Sequence, residues 1–544
     1  MSRPIRFAAI QIAAADVERH EETLRHSLEL IDQAAEQGAE LIALPECTYP
    51  GYFLRSPETP SNLGVLSGKE AVKRYAAKAA ERGVHLAVGL AYLEDDGSIS
   101  NSAVLIDAAG RAIGRYSKSL LWHFDNEWFR CGTEYPVFET ELGRIGLFIC
   151  ADGRQPEIAR IICLGRPDLV VDLTAWVSWG RDRATLSSSQ PDRLLPARAM
   201  ENGVWIAAAG KTGEESGSIL YCGSSCLVAP SGEVVQRASS DREEVAVWDV
   251  PIEQPATALI ERRPELYDAL TRPTESLPVI KRMGGTARID RSLMVSATQA
   301  PAYRDRGELL QVASKVVEDG RAQGVSLFVL PACDPARAAE FDASETQPGL
   351  SALLKGDEIL VAALSEPVED GYYRTVFALS EDGVLGRHRQ THLGVHALPA
   401  GACRGEQPSP VIETSWGTLG LVVGAEGFVP EVIRCLMLDG ADVIAWTAFE
   451  PPFPVSTFAQ TRAEENRLFV VAASVLSPNG GAAVAEPSGF LSASAPLDRL
   501  LTVSTLINPA WARWKERAPG TDVVLSRQPA TYGQLTALAM PAPG

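Results

Sequence analysis

Three residues in the first half of this 544-residue chain carry the side chains needed for acyl transfer through a thiol. They are Glu46 after the apolar run Ile42-Ala43-Leu44-Pro45, Lys118 closing Gly114-Arg115-Tyr116-Ser117, and Cys150 after Ile145-Gly146-Leu147-Phe148-Ile149. A free thiol titrates at about 8.5 and is little ionised at neutral pH, so a nucleophilic cysteine needs a base, which Glu46 can be. Attack on an amide carbonyl makes an oxyanion that an ammonium such as Lys118 and a backbone N–H such as that of Ala151 stabilise by about 3 kcal/mol. Taken singly, Cys150 has the profile of a core cysteine, Glu46 of a loop carboxylate or cap, and Lys118 of a surface lysine. His123 is the only histidine near these motifs and leaves a Cys-His relay open.

An internal duplication raises the three together, because repeats expose which positions a second copy has abandoned. Ile42-Ala43-Leu44-Pro45-Glu46-Cys47 returns as Phe328-Val329-Leu330-Pro331-Ala332-Cys333, with alanine for the glutamate. The stretch 143–160 returns as 417–434, where Gly424 stands for Cys150. Gly114–Lys118 returns as Gly386–Gln390, so the lysine is also gone. Framework residues persist: Arg198, Glu201 and Asn202 pair with Arg462, Glu465 and Asn466, and Arg262-Arg263-Pro264 through Tyr267 pairs with Arg527-Gln528-Pro529 through Tyr532. The second copy shows no histidine pattern to match His123, which weighs against the relay.

The elements that must position these residues alternate. The pattern predicts strands over 7–13, 41–44, 85–90, 102–107, 144–150, 169–173, 204–209 and 244–250, with helices over 17–37, 155–164 and 190–201. Strands this apolar, covered by helices, indicate an α/β layered architecture. The expected domains are 1–270 and 287–544, joined by a linker over 271–286 rich in Pro, Gly, Arg and Thr. The length allows about two or three domains, and the repeat selects two.

Composition is that of a soluble globular protein, 46% apolar and 22% charged. A net charge of −19 argues against nucleic-acid and anionic-membrane partners and favours a small-molecule substrate. Nine cysteines, with no CxxC pair or finger-like spacing, suit a reducing, cytoplasmic setting and neither a disulfide framework nor a metal site. The basic, apolar start could pass for a signal peptide, but Gln11 interrupts it and Leu293–Gln299 opens the second copy in the same way, which makes it a core strand. No apolar stretch approaches the roughly 20 residues that span a membrane.

On the motifs Leu44-Pro45-Glu46, Gly114–Lys118 and Cys150-Ala151-Asp152-Gly153-Arg154-Gln155-Pro156-Glu157, the chain resembles the nitrilase superfamily of carbon-nitrogen hydrolases, in two tandem copies. The resemblance implies an α-β-β-α sandwich in each half and cofactor-free catalysis. It also implies a second glutamate that orients the lysine or substrate, matched by Glu127 in Glu127-Trp128-Phe129-Arg130-Cys131-Gly132. The second copy has no acid between His392 and Glu406, so this counterpart is missing too. Family members commonly dimerise; here the silent half is expected to supply that surface as an intramolecular pseudo-dimer, which leaves room for a homo-oligomer in addition.

Cys-x-Asp is similar to the amidase and carbamoylase branches, whereas nitrilases of the superfamily usually carry Trp-Glu after the cysteine. An amide or ureide is therefore expected ahead of a nitrile. Arg154 is a candidate for a substrate carboxylate or for a structural ion pair with Glu157. Ala151, Thr174, Trp122, Trp128 and Trp176 are expected around the substrate, with Trp179 nearby in sequence. The alternatives are an acyltransferase using the same acyl-enzyme, nitrile hydrolysis, and a non-catalytic binding or scaffold protein.

Overall fold

The computed structural model describes residues 3–252, 260–283, 292–394, 401–496 and 499–538. The chain divides into two units. The first takes the described residues up to 252 together with Glu516–Asp522 and Ser526–Thr531; the second takes residue 260 onward to Lys515, Val523–Leu525 and the end from Tyr532. The expected boundary at 270 therefore shifts towards the N-terminus. Much of the expected linker is folded, because Leu277 and Val279 are buried and Pro278–Met283 is a helix of the second unit; residues 284–286 lie outside the described residues.

In the first unit, one sheet runs Glu244–Val250, Ile5–Gln11, Leu41–Tyr49, His85–Leu93, Ile99–Ile106, Ala112–Ser117, with Phe129–Arg130 paired beside Ile99–Ile106. The other runs Val234–Arg237, Cys226–Val228, Trp205–Gly210, Leu169–Thr174, Gly143–Phe148, Val137–Thr140. In each, three central strands are parallel and the outer ones antiparallel. Alternation along the strands explains the layers. Phe7, Ala9, Leu41 and Ala43 face Leu147, Val171, Leu173 and Ala207 between the sheets. The intervening Ala8, Ile10, Ile42 and Leu44 pack beneath Leu30, Ile31, Ala71, Tyr75 and Ala79 of helices His20–Glu36 and Gly68–Arg82. Helices Pro156–Leu164 and Leu195–Asn202 cover the second sheet, completing the expected α-β-β-α sandwich.

Helix Gly68–Arg82 was not among the expected elements, although Ser67 and Glu70 form a capping box and Gly83 ends it at φ +65°. The strand expected over 41–44 extends to Tyr49, and its pairing with His85–Leu93 breaks between Leu44 and Tyr49. Glu46 sits in that break.

The second unit repeats the plan. Its sheets run Gly383–Arg389, Gly371–Ser380, Ile359–Val368, Val325–Val329, Leu293–Gln299, Leu501–Ile507 and Val411–Thr414, Gly417–Val423, Val443–Ala448, Phe469–Ser474, Ala482–Ala485, Leu491–Ser494.

Candidate active site

The three chemical residues of the first unit all stand where strands end or break. Cys150 follows Gly143–Phe148 and opens a tight turn, Cys150–Arg154, at φ +49°. A residue with a Cβ in this region is strained by about 1–3 kcal/mol, so the surroundings must hold it. Asp172 Oδ1 accepts the Cys150 N–H at 2.7 Å, and Gln190 Nε2 donates to the Cys150 carbonyl at 2.9 Å. Asp152 ties this turn to the lysine segment, accepting from Ile149 N and Tyr116 Oη through one oxygen and from Ser119 N and Leu120 N through the other. Burial pushes the Asp152 carboxyl up to about 6, against the pull of these donors.

Lys118 is fully enclosed. Its Nζ lies 2.5 Å from Glu46 Oε1 and 2.6 Å from Asp125 Oδ2. Asn101 Nδ2 also donates to Glu46 Oε1, at 2.7 Å. Glu46 Oε2 has no hydrogen-bond partner among the described residues. Burial alone would depress the lysine, but the charges of Asp125 and Glu46 outweigh it and hold the ammonium well above the usual lysine range. Burial and, next, the Glu46 charge raise the Cys150 thiol well above its ordinary value. The resting site therefore holds an ammonium and an unionised thiol.

The second acid differs from expectation. Glu127 is exposed, and Asp125, fully buried, takes the place beside Lys118. The cause is local geometry: Asp125 starts the short helix Asp125–Trp128 with its carboxylate turned inward onto Lys118 Nζ and Trp122 N, while two residues further the helix faces out.

A cavity of about 410 Å³ opens on Cys150 and Lys118, a size suited to a small molecule. Ala151, Arg154, Trp122 and Trp176 line it as expected, joined by Tyr52, Phe124, Trp179 and Gln190. The Arg154 guanidinium lies 4.8 Å from the Trp122 ring centroid, and its Nη1 is 3.4 Å from Ser189 Oγ. Glu157, its expected partner in the structural reading, faces Arg527 at 3.7 Å. One expected substrate residue is elsewhere: Trp128 packs against Phe53, Phe124 and Phe129, behind the cavity. Thr174, fully buried at the end of Leu169–Thr174, does not line the cavity, but its side chain lies against the Cys150 thiol and favours the thiolate, opposing the effect of burial.

Two further positions differ between the copies beside the catalytic-type residues. Each unit donates the lysine-position N–H to one strand carbonyl, Asn101 in the first and Arg374 in the second, so Arg374 occupies the place of Asn101. By sheet register, Trp446 occupies that of Asp172. The corresponding place in the second unit is filled: Gly424 has φ +59°, and a Cβ there would lie 2.9 Å from Gln390 Nε2 and 3.0 Å from Arg374 Nη1. The counterpart of Asp125 falls within 395–400, outside the described residues. Among the described residues no group of His, Cys, Asp and Glu could hold a metal ion, and no helix is long and apolar enough to cross a membrane.

The carbon-nitrogen hydrolase family model matches residues 6–257 and 294–516, and the chain belongs to that family. Relatives include an omega-amidase of Xenopus tropicalis, 29% identical over 46% of this chain and 89% of its own length, and an N-carbamoylputrescine amidase of Oryza sativa subsp. japonica, 27% identical over 49% and 94%. A solved amidase from Nesterenkonia sp. is 27% identical, covering 47% of this chain and 93% of its own, with a TM-score of 0.41.

Proposed function

We propose that the first unit hydrolyses a small linear amide or ureide through a thioester on Cys150. Glu46 takes the thiol proton, and Sγ attacks the carbonyl carbon. Lys118 Nζ and the Ala151 N–H hold the oxyanion. The carbon–nitrogen bond breaks as Glu46 returns the proton to the nitrogen, releasing ammonia or an amine. Water, deprotonated by Glu46, then cleaves the acyl-enzyme to a carboxylic acid, or for a ureide to a carbamic acid that loses carbon dioxide, and Glu46 returns the proton to the departing Cys150 thiolate. The observation that carries this reading is the buried Glu46–Lys118–Asp125 cluster at the floor of a cavity that also exposes Cys150. Trp122, Phe124, Trp176, Val177 and Ile219 make the walls apolar, which favours an uncharged acyl chain, and the Arg154 guanidinium is also at the wall.

Ammonia release from a panel of amides, ureides, nitriles and ω-carboxylated amides, under reducing conditions, tests the proposal. We expect release from one class of amide or ureide, its loss in Cys150→Ala, and an acyl adduct on Cys150 by intact mass. A tenth or more of wild-type turnover surviving in Cys150→Ala would sink it.

A further inference from the structure

We propose that Thr521 and Gln528, about four hundred residues away in sequence, are positioning residues for Lys118; this rests on the reading of Lys118 as the oxyanion donor. Both belong to the first unit and lie beyond the second stretch matched by the family model. The Thr521 hydroxyl donates to the Leu121 carbonyl at 3.0 Å and accepts the His123 N–H at 2.8 Å, bridging the two peptides that flank Trp122. His123 sits at φ +46°, a conformation the local chain does not favour. The Trp122 N–H donates to Asp125 Oδ2 at 2.9 Å, and that oxygen also receives Lys118 Nζ. Movement of this loop therefore carries the carboxylate away from the ammonium.

Gln528 secures the other side. Its Nε2 lies 2.9 Å from the Ser119 carbonyl, 3.0 Å from Ser119 Oγ and 3.0 Å from the Gly132 carbonyl. Gly132 N in turn donates to the Lys118 carbonyl at 2.8 Å. The residues on both sides of Lys118's own peptide are thus fixed by one side chain. The second unit repeats the device: Arg263, the counterpart of Gln528, donates to the Thr391 and Gly405 carbonyls at 3.2 and 3.3 Å, the counterparts of Ser119 and Gly132. Where a lysine must stay charged the clamp is a neutral amide; where the lysine is gone it is a guanidinium.

The full chain carrying Thr521→Val, Gln528→Leu or Gln528→Asn tests this, with Thr521→Ser as the conservative control. Two probes are read: butyramide hydrolysis, as kcat, KM and pH profile, and iodoacetamide alkylation of Cys150, followed on its peptide by mass spectrometry. Displacements of about 1 Å at such groups cost large factors, so we expect kcat and the alkylation rate to fall at least about tenfold, with Thr521→Ser near wild type. The alkaline limb of the rate should move to lower pH, since Lys118 loses the carboxylate that keeps it protonated. Wild-type rates and pH profile in folded Thr521→Val and in either Gln528 variant, even with a lowered Tm, would overturn the proposal. Butyramide hydrolysis that persists in Cys150→Ala would instead overturn the thiol mechanism itself, and should butyramide prove inert, the alkylation rates decide alone.

Discussion

Glu46 acts on Cys150 in two opposing ways. In the proposed mechanism it is the base that removes the proton, but its charge, after burial, is what holds the thiol far above its ordinary range, while Lys118 pulls the other way. Replacing Glu46 by glutamine should separate these effects. Hydrolysis is expected to fall about 10²–10⁴-fold for want of the base. The thiol should nonetheless ionise more readily, because a raising charge is gone and Lys118, still paired with Asp125, remains. The midpoint of Cys150 alkylation against pH should therefore move down in Glu46→Gln. An unchanged or raised midpoint would show that the thiol does not feel this carboxylate.

The loop from Lys118 to Trp128 is where the sequence was least legible. Asp125 and Glu127 are two residues apart in one acidic-aromatic segment, and only the geometry of a single helical turn decides which faces Lys118. The choice is testable. Asp125→Asn keeps the shape but removes a charge from a buried cluster, a change on the order of 3–5 kcal/mol when an ion partner is lost. We expect kcat to drop about a hundredfold, whereas Glu127→Gln, altering an exposed side chain, should stay within about twofold. Equal effects would return the role to Glu127. By contrast Glu46, Lys118 and Cys150 were legible because the second copy discards all three, and the strands were legible because both faces are apolar. Trp128 was misplaced for the opposite reason: sequence nearness to a motif does not separate a cavity wall from the aromatic cluster behind it. Thr521 carried no local signal and Gln528 only that of a segment repeated between the copies, since their meaning depends on contacts with Leu121 and Ser119 that only the folded chain brings together.

At the scale of the whole molecule, the same fold occurs twice with Glu46, Lys118 and Cys150 present in one copy alone, and the difference in the second unit goes beyond these three replacements. Restoring Ala332→Glu, Gln390→Lys and Gly424→Cys would rebuild the three lost side chains on a backbone that tolerates them, as Cys150 and Gly424 share a left-handed φ. Yet the Arg374 guanidinium stands where Asn101 stands in the first unit, 3.0 Å from the position of the new Cβ. A restored lysine would share one glutamate with a second buried cation, in a site where burial already depresses the arginine. Trp446 likewise leaves the restored cysteine's N–H without the carboxylate that Asp172 gives Cys150. In a Cys150→Ala background, the triple restoration is therefore expected to show no ammonia release above that background, and adding Arg374→Asn and Trp446→Asp is the least change that could bring it back. Activity from the triple restoration alone would mean that the side chains filling the silent site yield to substrate, and that its silence rests only on the three missing groups.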